Sequence, residues 1–234
     1  MTQPSSPLSV ARREDILSLA DGVLPHGVPS GLAGRTKRGA DMLLAGIALL
    51  FMAPLFLGLA VLIKLQDGGP VFYRQLRRGR GGEHFTLYKF RTMRPDGNQM
   101  LAALLAKDKD ARAQWTAYRK LRNDPRITPI GKFLRRSSLD ELPQFLNIVL
   151  GDMSIVGPRP IIDEEFDRFG VMAPVYEAAR PGLTGLWQIS GRNETDFTTR
   201  VALDVAYVQN WSFWQDIKIL FKTVPVVLLA RGAY

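Results

Sequence analysis

The chain has 234 residues, a net charge of +9, no cysteine and only two histidines, His26 and His84. That length suits one medium domain with an anchor, and the missing cysteine excludes disulfides, thiolate zinc sites and a cysteine nucleophile. With so little histidine, chemistry falls to carboxylates, arginines, lysines, hydroxyls and a hard metal ion on oxygen ligands. The basic balance calls for an anionic partner: lipid headgroups, nucleic acid or a phosphorylated substrate.

Residues 1–34 are rich in Ser, Pro, Gly and Ala and are expected to form a mobile tail. They do not read as a cleavable signal, because the apolar run that follows starts too late and is too long. That run is Met42 to Ile63, 22 residues without a charge and with Pro54 near its middle. As a straight helix it rises about 33 Å, enough to cross a hydrocarbon core. Its flanks are basic on both sides. Arg35, Lys37 and Arg38 precede it, and eight basic residues against Asp67 and Glu83 fall between Lys64 and Arg94. Basic flanks prefer the cytoplasm. A helix over 35–66 that breaks at Pro54 and leaves by the face it entered satisfies both flanks. An ordinary spanning helix with a tolerated proline is the alternative.

The remainder, 67–234, is expected to be a cytoplasmic domain. PVFYRQLRRG and EHFTLYKFRTM, around Gly79, Gly81 and Gly82, predict a short β-hairpin. GRGG lacks the lysine and hydroxyl of a phosphate loop, so a turn is expected there. The spacing of Leu101, Leu104, Leu105, Trp115 and Tyr118 predicts a helix over 100–121. Helices are expected at 131–136 and 142–150 around a short link, then a small strand at Ser154 to Val156 and a turn at Gly157, Pro158, Arg159 and Pro160. RPGLTGLWQISGRN reads as glycine-rich loop, and 197–210 as helix. The last stretch, NWSFWQDIKILFKTVPVVLLARGAY, mixes tryptophan and lysine on a short apolar segment, as suits a membrane interface. The whole reads as an α+β protein, mostly helical, with one hairpin, one re-entrant membrane helix and interfacial helices.

The chemistry concentrates at Ser138-Leu139-Asp140-Glu141-Leu142-Pro143. Ser138 and Glu141 fit a capping box, and Asp140 fits a helix cap with Pro143 in the first turn. Either way free amides should favour ionised Asp140. The same pair can divide labour, one carboxylate attacking phosphorus and the other holding magnesium. Arg126, Arg135, Arg136 and Arg159 are near in sequence, and guanidinium groups grip phosphate with two donors. From the residues alone, a capping motif and a catalytic pair both stand.

LYKFRTM, DPRITPIGKFLRRSSLDELPQFLNIVLGDMSIVGPRP and RPGLTGLWQISGRN resemble the bacterial sugar transferases, the monotopic polyprenyl-phosphate phosphoglycosyl transferases. The likeness runs from about Lys37 to the C-terminus and is nearest to short exopolysaccharide-initiating members. It implies transfer of galactose or glucose 1-phosphate from a UDP-sugar to undecaprenyl phosphate, with release of UMP, at the cytoplasmic face of the bacterial inner membrane. It implies Asp140 as nucleophile, Glu141 as the Mg2+ ligand, and Lys89, Arg91, Arg135 and Arg159 as substrate-binding positions. It also implies a re-entrant helix, broken in some members at a Ser-Pro pair where this chain has Ala53-Pro54. A non-catalytic, membrane-tethered module that binds anionic lipid is the rival reading. Nucleic acid is not an expected partner, since the aromatic residues fall in core or interface segments. The sugar and the oligomeric state are not legible.

Overall fold

The computed structural model describes residues 28–118, 121, 123–191 and 195–228. Most of the expected tail, including His26, lies outside them. The first element, α1, is a helix of 37 residues, Gly31–Asp67, and ends at a left-handed Gly68. It begins a little before the expected boundary and rises about 55 Å. It continues through Pro54, whose missing amide leaves the Leu50 carbonyl without its usual donor. Its composition is apolar enough to cross a membrane, and only 11% of its most apolar window is buried. Leu50 and Phe51 are 80% and 84% exposed. A core helix of a water-soluble protein would bury such residues.

What α1 does bury lies toward its two ends. Ala45 joins the main core with Ile148, Met153 and Ile155. Leu59 and Ile63 pack with Phe90 and Leu134 in a second cluster. Polar contacts follow the same division. Arg38 donates to the Ile148 carbonyl (2.7 Å) and the Val149 carbonyl (3.2 Å), where a helix end leaves acceptors free. Lys37 Nζ lies 2.6 Å from Asp216. Asp41 accepts from the Ser154 hydroxyl at 2.6 Å. At the far end Arg91 clamps Asp67 with two donors, one at 2.8 Å.

The expected hairpin is present. Strands β1 (Phe72–Arg78) and β2 (His84–Phe90) pair antiparallel, Phe72 opposite Phe90. The expected helix over 100–121 is instead two, α2 (Gly97–Lys107) and α3 (Lys109–Tyr118). Asp108 breaks them, with extended backbone and a side chain that accepts from the Asp110 and Ala111 amides at 2.9 Å. This local bonding is how aspartate competes with helix continuation.

Next come α4 (Pro129–Ser137) and α5 (Gln144–Leu150), close to the expected pair of helices. Thr128 caps α4 by accepting from the Gly131 amide, and Pro129 starts it. A β-carbon at Gly131 would fall 2.0 Å from the Thr92 carbonyl. Only glycine lets α4 lie this close to the end of β2. Strand β3 (Ser154–Val156) appears as expected. It pairs in parallel with β4 (Gly182–Thr184), Ser154 opposite Gly182. The short helices α6 (Asp163–Phe166) and α7 (Ala173–Ala178) connect the two strands. The stretch read as glycine-rich loop therefore holds a strand and a helical turn, α8 (Leu186–Ile189). Glycine spacing hid both: a β-carbon at Gly182 would meet the Gly157 amide at 2.1 Å, so glycine here serves strand approach. Helices α9 (Phe197–Gln209) and α10 (Phe213–Leu228) complete the described chain. On α10, Ile219 is buried while Phe213, Trp214, Phe221 and Val224 are exposed. The protein is α+β and mostly helical, as expected.

Candidate active site

Asp140 and Glu141 do not cap a helix. They sit in a 3-10 turn, Leu139–Glu141, between α4 and α5. Ser138 makes no side-chain cap, and α5 begins beyond Pro143 at Gln144. The capping box is therefore not formed. Ser138 instead ends α4 with φ 56, the left-handed region. Among the described residues no other non-glycine has positive φ, and such positions concentrate where function over-determines the backbone. The reversal at Ser138 turns the two acids into a cavity of about 1630 Å³.

Lys89, Arg91, Arg135, Asp140, Glu141 and Arg159 all line that cavity, so every residue implied by the resemblance meets there. Their commitments differ. Lys89, on β2, holds Glu141 Oε1 at 2.6 Å. Arg135, on α4, donates from Nε to Thr92 Oγ1 at 2.9 Å. Arg159 stacks its guanidinium 5.0 Å from the Trp187 ring centroid. Arg91 is already occupied: it bonds Asp67 and donates to the Pro70 carbonyl at 2.6 Å. Its principal contacts therefore tie α1 to β2.

Sequence reasoning missed a second group behind these residues. Arg77 lies in the cavity wall, 3.8 Å from Glu165. Trp187 lies between cations, with Arg200 5.1 Å from its ring. Asp204 is 1% exposed and accepts from the Arg159 amide at 3.4 Å. A cue was present for Asp204, since Arg200 and Asp204 stand four apart on one helix, where they lie 3.8 Å apart.

The electrostatics fit an anion site. Burial, then Asp140 and Asp124 acting against it, leave Arg135 below the usual guanidinium range. Burial and the nearby Arg159 do the same to Arg77. Cations crowded in low dielectric, short of counter-charge, gain by binding an anion. Asp140 shows the complement. Burial first, and then Glu141, push its carboxyl up to about 6, against the pull of Lys89 and Arg135. Backbone hydrogen bonding does pull it down, as expected for amides at a helix start, but burial and Glu141 outweigh that pull. Burial likewise pushes Asp204 up to about 7.

Among the described residues no group of three or more His, Asp or Glu side chains forms a metal cage. Magnesium rarely needs one. It takes one or two carboxylates and completes its shell with phosphate oxygens and water. Two adjacent carboxylates beside under-compensated arginines match that donor set.

The sequence pattern of the bacterial sugar transferases matches residues 32–230. The exopolysaccharide production protein ExoY of Rhizobium meliloti is 50% identical over 208 residues, covering 89% of this chain and 92% of the relative. An undecaprenyl-phosphate galactose phosphotransferase of Salmonella typhimurium is 50% identical over 198 residues, 85% of this chain and 41% of that longer protein. A UDP-glucose:undecaprenyl-phosphate glucose-1-phosphate transferase of Caulobacter vibrioides is 39% identical over 238 residues, 97% of this chain and 82% of the relative. The chain belongs to the bacterial sugar transferase family.

Proposed function

We propose that the protein moves a sugar 1-phosphate, galactose or glucose, from a UDP-sugar to undecaprenyl phosphate and releases UMP, as the first membrane step of exopolysaccharide synthesis. One observation carries the reading. A carboxylate with a raised pKa, Asp140, shares a cavity with an acidic neighbour, arginines short of counter-charge, and apolar walls. An Asp140 oxygen attacks the β-phosphorus of the UDP-sugar. The bond from that phosphorus to the bridging oxygen breaks, and UMP leaves with the electron pair. A phosphate oxygen of undecaprenyl phosphate then attacks the same phosphorus, and the bond to Asp140 breaks. No proton need move in either displacement, so Asp140 must start ionised, and at neutral pH it mostly is.

Arg135, Arg159 and Lys89 take the phosphate charge, with Arg77 behind them. Magnesium, when bound, would neutralise diphosphate oxygens. Glu141 would hold it, and its pairing with Lys89 would then loosen.

The membrane reading is the re-entrant one, at the cytoplasmic face of the inner membrane, which requires α1, a continuous helix through Pro54, to bend there as it dips into lipid. Its support is that Lys37, Arg38 and Asp41 near one end of α1 and Asp67 at the other are held by the same body. The apolar stretch between them is exposed.

The test is trapping. Protein in nanodiscs with Mg2+ and a UDP-sugar radiolabelled in the sugar, without lipid acceptor, should retain covalent label and release UMP. Chelation should stop both. Label absent from wild type, with turnover intact once lipid is added, would replace the covalent route by direct transfer.

A further inference from the structure

The cavity that holds Asp140 is lined by apolar as well as charged side chains. Its apolar lining includes Met52 and Leu55 of α1, Phe72 of β1, and Leu220, Val224 and Val227 of α10. The α10 residues, with Thr223, follow the i, i+3, i+4, i+7 spacing of a single helix face. Thr223 fixes the rotation of that face, since its hydroxyl meets the Thr184 hydroxyl at 2.7 Å. On α1, Leu59 and Ile63 just beyond are buried in the second core, so the same helix passes from packed to open as it reaches the cleft. Leu55, Phe72 and Val224 are exposed, so this apolar lining is open to the surroundings. Leu50 and Phe51 on α1 and Phe221 on α10 add further exposed apolar surface on the same two helices. One cavity thus joins two kinds of chemistry. Arg77, Arg135, Arg159 and Lys89 line it together with aliphatic and aromatic side chains.

We infer that the cleft between α1 and α10 holds the first isoprene units of the polyprenyl phosphate, its phosphate toward Asp140 and its tail leaving between Leu55 and Val224. The inference rests on the reaction proposed above and adds the acceptor's path. Its ground is complementarity. An amphiphile with a compact anionic head and one apolar chain matches a cavity that joins cationic side chains to exposed apolar ones. The α10 stripe rises about 10 Å from Leu220 to Val227, so it guides the chain nearest the head while the bilayer takes the rest.

The experiment reads occupancy without needing turnover. An undecaprenyl phosphate analogue with a diazirine in its first two isoprene units is irradiated with the protein in nanodiscs of phosphatidylethanolamine and phosphatidylglycerol. Adducts are expected in residues 52–55, 71–72 and 220–227, falling at least fivefold with excess undecaprenyl phosphate. Val224→Trp fills the cleft from an exposed position and should cut adduct yield about tenfold, whereas Val224→Leu should keep it. Adducts elsewhere, equal competition by added phosphatidylglycerol, or an indifferent Val224→Trp would overturn the assignment. So would efficient disulfide dimerisation of Val224→Cys, which would make the cleft a contact between copies. Sugar transfer is assayed in the same nanodiscs. Cleft adducts without transfer would sink the reaction and leave the cleft; transfer with adducts elsewhere would sink the cleft alone.

Discussion

Lys89 Nζ lies 2.6 Å from Glu141 Oε1, so one cation links β2 to the turn that carries both acids. It also helps to restrain the pKa of Asp140, which burial and Glu141 raise. Lys89→Met should therefore raise that pKa further. The acid limb of kcat/KM, which protonation of Asp140 sets near pH 6, should move to higher pH, and turnover at neutral pH should fall. An acid limb that stays in place would remove Asp140 as the titrating group.

Asp140→Asn should abolish turnover and yet stabilise the fold. The sign follows from linkage. The carboxyl titrates at about 6 in the folded protein against an ordinary 3.8, so the folded state binds more protons between those values. Stability is greatest below the lower value and is lost as pH rises through the upper one. At pH 7 the ionised carboxylate costs the fold on the order of 2–3 kcal/mol. Asparagine removes that cost, and Tm in nanodiscs should rise by about 5 °C. A lower Tm for this variant would mean that ionised Asp140 is compensated where it sits.

Arg135→Ala and Arg159→Ala should lower kcat/KM by about 100-fold with little change in Tm, as for loss of one charge-stabilising donor. Lysine at either position should restore only part of it, lacking the fork. Arg91→Ala should behave differently, because Arg91 is spent on Asp67 and Pro70. Its first effect should be a loss of about 2 kcal/mol of stability, read by thermal unfolding. Normal kinetics in the first two variants at low UDP-sugar would displace the phosphate site.

Thr36 and Leu65 are both exposed, near the two ends of α1. The chain has no cysteine, so Thr36→Cys and Leu65→Cys can be labelled without background. Both should resist an impermeant maleimide added outside spheroplasts and react after permeabilisation. Labelling of one end alone from outside would make α1 a spanning helix.

Much of the architecture is local and was legible as such. Twenty-two uncharged residues define the apolar segment whatever surrounds them. The hairpin follows from alternating aromatics about glycines, and the helices expected at 131–136 and 142–150 lie where α4 and α5 are found. The strand at Gly182–Thr184 was not legible, because its glycines answer to a neighbour far away in sequence. Nor was the break at Asp108, where one side chain outbids helix periodicity.

The sequence by itself determined the chemical repertoire: carboxylates and guanidinium groups, an apolar anchor, no thiol, and a family resemblance that named the acids. Only the tertiary structure decided what each of these groups is free to do. It committed Arg91 to Asp67 and gathered Arg77, Arg159 and Trp187 from separate segments. It placed Asp140 in a half-buried turn beside Glu141 rather than on a helix cap, which raised its pKa where local reasoning expected the opposite. The reason is physical. Hydropathy and residue type are properties of the chain, whereas burial, counter-charge and direction exist only between segments the fold brings together.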